Sequence, residues 1–252
     1  VWLGVRRQSQ SCSRDRHYSS LSHGAFDISF ASVGWYYDYR KKIQPSVKQR
    51  EKLLPAVNYK LLSLDKNLHT LKFDHPDLRI DLGGIAKGYA VDRAVQIIHK
   101  LGVRHATVSA GGDSRVLWDK RGKPWLIGIK KPRGLNLPAT QREKNNDSAL
   151  LLPLSDVAIS TSGDYERYFI DSKTGERIHH IINPKTGLSA KGLVSVTIIG
   201  PNGIDTDPLS TSVFVLGLAE GMKLIESLPS FDCVVIDGQG KVHFSSGLTT
   251  SE

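Results

Sequence analysis

A chain of 252 residues can bury a core without disulfide staples, either as one large domain or as two small ones sharing a cleft. Its 39% hydrophobic and 23% charged residues are ordinary for a folded protein, and its two cysteines, Cys12 and Cys233, form no CxxC spacing and suggest neither a zinc site nor a disulfide framework. The formal net charge of +9 favours an anionic partner, but the basic residues fall in short clusters with no aromatic-interleaved stripe, so nucleic acid is not the expected partner.

No apolar run approaches the roughly 20 residues of a membrane span, and Val1 to Val5 is too short and too soon followed by Arg6 and Arg7 for a signal-peptide core. Residues 1–23 are rich in Ser and Arg and show no periodicity, so they read as a flexible lead-in or remnant. Residues 47–54 carry a brief helical pattern, and 59–64 with 68–73 flank Asp65-Lys66-Asn67 as a hairpin. Residues 78–82 read as a strand running into Gly83-Gly84. Ala86, Ala90, Ala94, Ile97, Ile98 and Leu101 then recur at helical spacing up to a stop at Gly102.

Residues 105–110 form a strand ending in Gly111-Gly112-Asp113, and 124–129 form another. Polar residues 131–149 read as a surface loop or insertion. A short strand at 157–160 precedes a hairpin of 164–169 and 178–182 across Thr174-Gly175, and Asn183 to Gly187 make a sharp turn. Residues 193–199 alternate as a strand. Asp207-Pro208 opens a helix that Gly217 stops, and a second helix covers 219–228. A last hairpin joins 231–236 and 241–244. Hairpins dominate, so the fold class is α+β, antiparallel sheets with packed helices.

Three segments could carry chemistry. Around Gly83-Gly84 a backbone can approach a phosphate at a helix start, with Lys87 as a cation one turn in; the same residues also serve as a plain strand-to-helix turn. His180 can move a proton near neutral pH or be a satisfied structural histidine, and the adjacent His179 points to the opposite face of a strand. Asp207 and Thr211 are four apart on one helical face and offer hard oxygen donors suited to Mg²⁺, although Asp before Pro is also an ordinary helix cap.

The order of these segments is specific. Gly24-Ala25-Phe26-Asp27, then DLGGIAKGYAVD from Asp81 to Asp92, Gly111-Gly112-Asp113 and Ser160 to Tyr165 are followed by His180 to Gly187 and Thr206 to Thr211. In this register the chain resembles the FAD:protein FMN transferases, the ApbE family. The resemblance implies two subdomains around a flavin-nucleotide cleft, with residues 24–247 as the transferase domain and 248–252 as a tail. It implies Mg²⁺-dependent transfer of FMN from FAD to a Ser or Thr hydroxyl of an acceptor protein of the redox-complex subunit type, releasing AMP. The alternatives are a FAD pyrophosphatase giving FMN and AMP, and a nonenzymatic flavin- or nucleic-acid-binding protein.

By the same resemblance Ala25, Phe26, Asp27, Asp81, Lys87 and Ile181 contact FAD. Asp207, Thr211 and the backbone oxygen of Gly84 bind Mg²⁺, with Asp207 thereby essential to catalysis, and His180 handles a proton. The family normally carries a further stretch before Gly24 that residues 1–23 do not resemble, so an N-terminally incomplete domain is expected. Location outside the cytoplasm, on a membrane anchor that this chain does not show, is expected on the same ground.

Overall fold

The computed structural model describes residues 2–4, 9–65, 67–130 and 148–249. The strands are β1 (Trp2–Gly4), β2 (Leu62–Asp65), β3 (Thr70–Phe73), β4 (Ala106–Ala110), β5 (Asp113–Leu117), β6 (Trp125–Lys130), β7 (Ser148–Leu154), β8 (Ala158–Gly163), β9 (Tyr168–Ile170), β10 (Arg177–His179), β11 (Ile182–Asn183), β12 (Leu188–Ser189), β13 (Leu193–Gly200), β14 (Asp232–Asp237) and β15 (Val242–Phe244). The helices are α1 (Ser9–Leu21), α2 (Ala31–Gly34), α3 (Val47–Leu53), α4 (Ala86–Lys100), α5 (Gly203–Leu216), α6 (Leu218–Glu226) and α7 (Ser246–Thr249).

Six strands form the main sheet in the order β15-β14-β13-β8-β5-β4, each antiparallel to its neighbours. Strand side chains alternate between faces, and here the alternation divides two cores. Val196, Ile198, Cys233 and Val235 point to one face and join Leu209, Val213 and Phe214 of α5 and Ile225 of α6. Ile199 and Val234 point to the other and meet Ile129 and Leu152 of the β6–β7 hairpin. The central strand β13 is therefore buried on both sides, and α5, which packs on β8 and β13, has hardly any solvent-facing stripe. A third cluster gathers Val33, Tyr37, Leu53, Phe169, Ile178 and Ile182 around α2, α3 and the β9–β10 hairpin.

Several sequence expectations are corrected. The lead-in is helical over Ser9–Leu21, with Tyr18 in the main core and Asp15 and Ser19 buried. Polar residues on its inward side hide the usual apolar stripe. Arg14 ties this helix to α5 through Asp205 at 3.4 Å. Residues 78–82 join no strand; the segment is held instead by Asp81 N donating to Ile28 O and Arg79 N donating to Ser32 Oγ. The short strand expected at 157–160 runs on to Gly163, and a strand absent from the sequence reading, β5, follows the glycine pair. The expected loop at 131–149 lies outside the described residues except for its last two, which begin β7. The expected tail at 248–252 begins inside α7, where Leu248 packs beneath the sheet, and its last three residues lie outside the described ones.

The correction with most consequence concerns α5. It starts at Gly203, so Asp207-Pro208 lies inside the helix and does not open it. The start is capped from α4: Asp92 accepts from Gly203 N and Ile204 N, both at 2.8 Å. The two helices touch backbone to backbone, since a Cβ on Gly88 would stand 1.9 Å from Gly203 O and 2.9 Å from Asp207 Cβ. Only glycine fits there. Gly88→Ala must push α4 off α5 and should cost about 3 kcal/mol in denaturant unfolding; a loss under about 1 kcal/mol would show that the crossing tolerates a methyl group.

Candidate functional site

The crossing of α4 and α5 brings together residues that are more than a hundred positions apart. Asp207 projects from α5 toward the first turn of α4, where its Oδ2 accepts from Gly88 N at 3.1 Å and its Oδ1 from Lys87 Nζ at 2.7 Å. Lys87 Nζ also lies 2.8 Å from Asp113 Oδ2 and donates to Gly83 O at 3.3 Å. Asp113 begins β5 directly after Gly111 and Gly112, both at positive φ, and a side chain on Gly111 would press against Lys87 Cδ at 3.1 Å.

Two carboxylates thus share one ammonium, leaving a net negative charge in a mostly dry place. Burial, followed by the neighbouring Asp207 carboxylate, pushes the Asp113 carboxyl up to about 7, against the pull of Lys87. For Lys87 burial works the other way, but Asp207 and Asp113 outweigh it and hold the ammonium above its ordinary value. Lys87 keeps 38% of its side chain exposed, enough to be reached by a ligand, while Asp207 and Asp113 keep 3% and 1%.

One turn along α5, Thr211 Oγ1 stands 3.2 Å from Ser162 Oγ, which in turn meets Ser210 Oγ at 2.8 Å; Ser210 donates to Asp207 O. Gly84 faces this group, since a Cβ there would be 3.7 Å from Thr211 Oγ1 and 3.0 Å from the Phe26 ring. Asp207 and Thr211 thus lie one turn apart on α5, as their spacing suggested, and the Gly84 turn lies next to Thr211. Among the described residues no three His, Cys, Asp or Glu side chains form a metal cluster. The donors here are one carboxylate, a hydroxyl and a backbone turn beside an excess negative charge, a set that fits Mg²⁺, which keeps waters and ligand oxygens for its remaining positions.

The other sequence candidates divide. Phe26 and Ile181 lie together in the main core, and Ala25 is buried. Asp27 is spent on structure, accepting from Ser29 N, Ser29 Oγ and Tyr59 N. Asp81 is exposed and closes the turn by accepting from Gly83 N at 2.7 Å. The two histidines differ in setting, since His179 ends β10 and His180 follows in the bend after it. His179 is 3% exposed, its Nδ1 accepts from Ile181 N, so its Nε2 carries the proton donated to Ala190 O, and its ring meets Phe214 edge-on. Burial drives its pKa down to about 4. His180 is half-buried, its Nδ1 has no hydrogen-bond partner among the described residues, and burial lowers its pKa despite the Arg167 carbonyl.

The ApbE family model matches residues 10–235. The chain belongs to the ApbE family. The match begins inside α1, so that helix is part of the ApbE domain. The FAD:protein FMN transferase of Treponema pallidum is 29% identical over 248 residues, covering 92% of this chain and 66% of that protein. The one from Vibrio cholerae is 31% identical over 236 residues, 90% and 67% of the two chains. The crystal structure of the ApbE protein from Thermotoga maritima superposes with a TM-score of 0.86 at 33% identity, covering 99% of this chain and 79% of that one. Flavin transferase ApbE from Vibrio cholerae gives 0.81 at 27%, covering 99% and 78%. The chain spans 37% to 67% of the length of the curated relatives it matches, and its mixed helical and antiparallel architecture is that of the ApbE structures.

Sequence reasoning missed the roles of Asp92, His179 and Ser162 in this ApbE site and gave Asp113 none. Asn202 followed by Gly203, a residue favoured near helix starts, was the available signal that α5 begins early. The histidine geometry gives a direct check. His179→Ala should cost about 2–4 kcal/mol of stability and His180→Ala less than about 1, by denaturant midpoint; equal losses would contradict a structural role confined to His179.

Proposed function

We propose that this chain catalyses Mg²⁺-dependent transfer of FMN from FAD to a Ser or Thr hydroxyl of an acceptor protein, with release of AMP. The observation that carries the reading is the convergence of Asp207, Thr211 and the Gly84 turn beside Lys87, in a chain whose family includes proteins named for this activity. Asp207, Thr211 and the Gly84 backbone oxygen would hold Mg²⁺, which when bound offsets phosphate charge and stabilises the leaving phosphate.

The acceptor oxygen attacks the phosphorus of the FMN half, the bridging P–O bond breaks, and the electron pair leaves on AMP. The acceptor proton passes to the half-buried His180 ring. Burial keeps that ring neutral at and below the ordinary histidine value, the form in which it accepts a proton. Lys87, with part of its side chain exposed, can offer an N–H to a phosphate oxygen, and the exposed Asp81 lies at the same glycine turn. Water in place of the acceptor would give FMN and AMP, so hydrolysis is the competing outcome at the same site.

Incubation with FAD and Mg²⁺, with and without a Ser- or Thr-bearing acceptor, distinguishes covalent flavin on the acceptor from free FMN and AMP; no cleavage in either case would overturn both. Asp207→Ala should abolish turnover. His180→Ala should lower kcat/KM about 10²–10⁴-fold, and in the unsubstituted protein the acid limb of that parameter should lie below pH 6.5, because burial moves His180 downward from that value. An acid limb above pH 6.5, or full transfer by His180→Ala, would remove His180 from the reaction.

A further inference from the structure

Asp113 is harder to explain than its neighbours. It is 1% exposed, and its close polar neighbours are Lys87 Nζ, 2.8 Å from its Oδ2, and the Asp207 carboxylate. A buried carboxylate is costly, and a single ammonium that it must share offsets that cost incompletely. It caps no helix, unlike Asp92, and supports no turn, unlike Asp27 and Asp81. What distinguishes it is position: Lys87 Nζ stands almost equally close to Asp113 Oδ2 and Asp207 Oδ1, at 2.8 and 2.7 Å.

Asp207 accepts one hydrogen bond on each oxygen, so an incoming cation would share its carboxylate with Lys87. Its Oδ2 takes Gly88 N, and its Oδ1 takes Lys87. A divalent cation held by Asp207 would be repelled by an ammonium on the same carboxylate. The geometry points to Lys87 and the divalent cation being alternative partners of Asp207, with Asp113 as the positioning residue that receives the ammonium when the cation binds. This rests on the metal reading above and extends it. The transfer needs no large movement, since Lys87 already touches both carboxylates and the Gly83 carbonyl. The packing of Gly111 against the Lys87 stem keeps the ammonium within reach of Asp113.

The test is Mn²⁺ binding without FAD, followed by electron paramagnetic resonance, in the unsubstituted protein, Lys87→Met, Asp113→Asn and the double variant. Lys87→Met should bind Mn²⁺ more tightly than the unsubstituted protein. Asp113→Asn should bind about tenfold more weakly, and that loss should shrink severalfold in the Lys87→Met background, because the two residues act as a unit. If Asp113→Asn fails to fold, Asp113→Ser takes its place in the same cycle. Equal losses in both backgrounds, or weaker binding by Lys87→Met, would overturn the exchange while leaving the metal site standing. No Mn²⁺ binding by the unsubstituted protein would sink the metal reading and the exchange together.

Discussion

Two helices that cap each other hold this molecule's chemistry in place. Asp92 on α4 accepts from the first two N–H groups of α5, while Asp207 on α5 accepts from Gly88 N in the first turn of α4. Helix starts leave N–H groups without intrahelical partners, and a carboxylate that satisfies them contributes on the order of 1 kcal/mol or more. Here the two caps are reciprocal, so each helix supplies what the other lacks. The arrangement exists because Gly88 and Gly203 let the backbones meet without side chains between them. Position of Asp207, and with it Thr211 one turn on and Lys87 across the gap, follows from that contact.

Such a crossing obliges the protein to bury polar groups, and α5 shows how it does so. Thr206 bonds Ser160 on β8, Ser210 bonds Ser162, and Ser212 returns its hydroxyl to Pro208 O. The alternation of β8 turns Ser160 and Ser162 to the same face of the sheet, so a strand and a helix meet through a polar ladder amid an otherwise apolar core. A ladder of this kind fixes the rotation of α5 about its axis more specifically than apolar contact alone. That rotation decides whether Asp207 and Thr211 face the glycine turn. The ladder therefore sets the orientation of Asp207 and Thr211, and Lys87 reaches the Asp207 and Asp113 carboxyl groups from α4.

Much of this was legible in the sequence, and the reasons differ by element. The α4 pattern, the hairpins at 164–182 and 231–244, and the i,i+4 pairing of Asp207 with Thr211 are local and depend on period and turn chemistry alone. The start of α5 was misplaced because its cap comes from Asp92, 111 positions away, and no local rule reports a cap supplied by another helix. Asp207 was weighed as a cap for its own helix and proves to cap a different one. Helix α1 was invisible because its inward face carries Asp15 and Ser19 and not an unbroken apolar stripe. Asp27 and Asp81, which the family resemblance assigns to ligand contacts, have oxygens engaged with backbone N–H groups, those of Ser29 and Tyr59 for Asp27 and of Gly83 for Asp81. Strand alternation does not apply to the two histidines, because β10 ends at His179, and which of them is buried is set by the fold.

The central claim is that the α4–α5 crossing builds a divalent-cation site from one carboxylate, one hydroxyl and one backbone turn. Anomalous diffraction from crystals grown with Mn²⁺ and FAD tests it most directly. The account predicts an ion bonded to Asp207 and Thr211 and to the Gly84 backbone oxygen, with the diphosphate of the dinucleotide completing its coordination. An ion bound elsewhere, or a dinucleotide whose diphosphate lies away from the glycine turn, would contradict it.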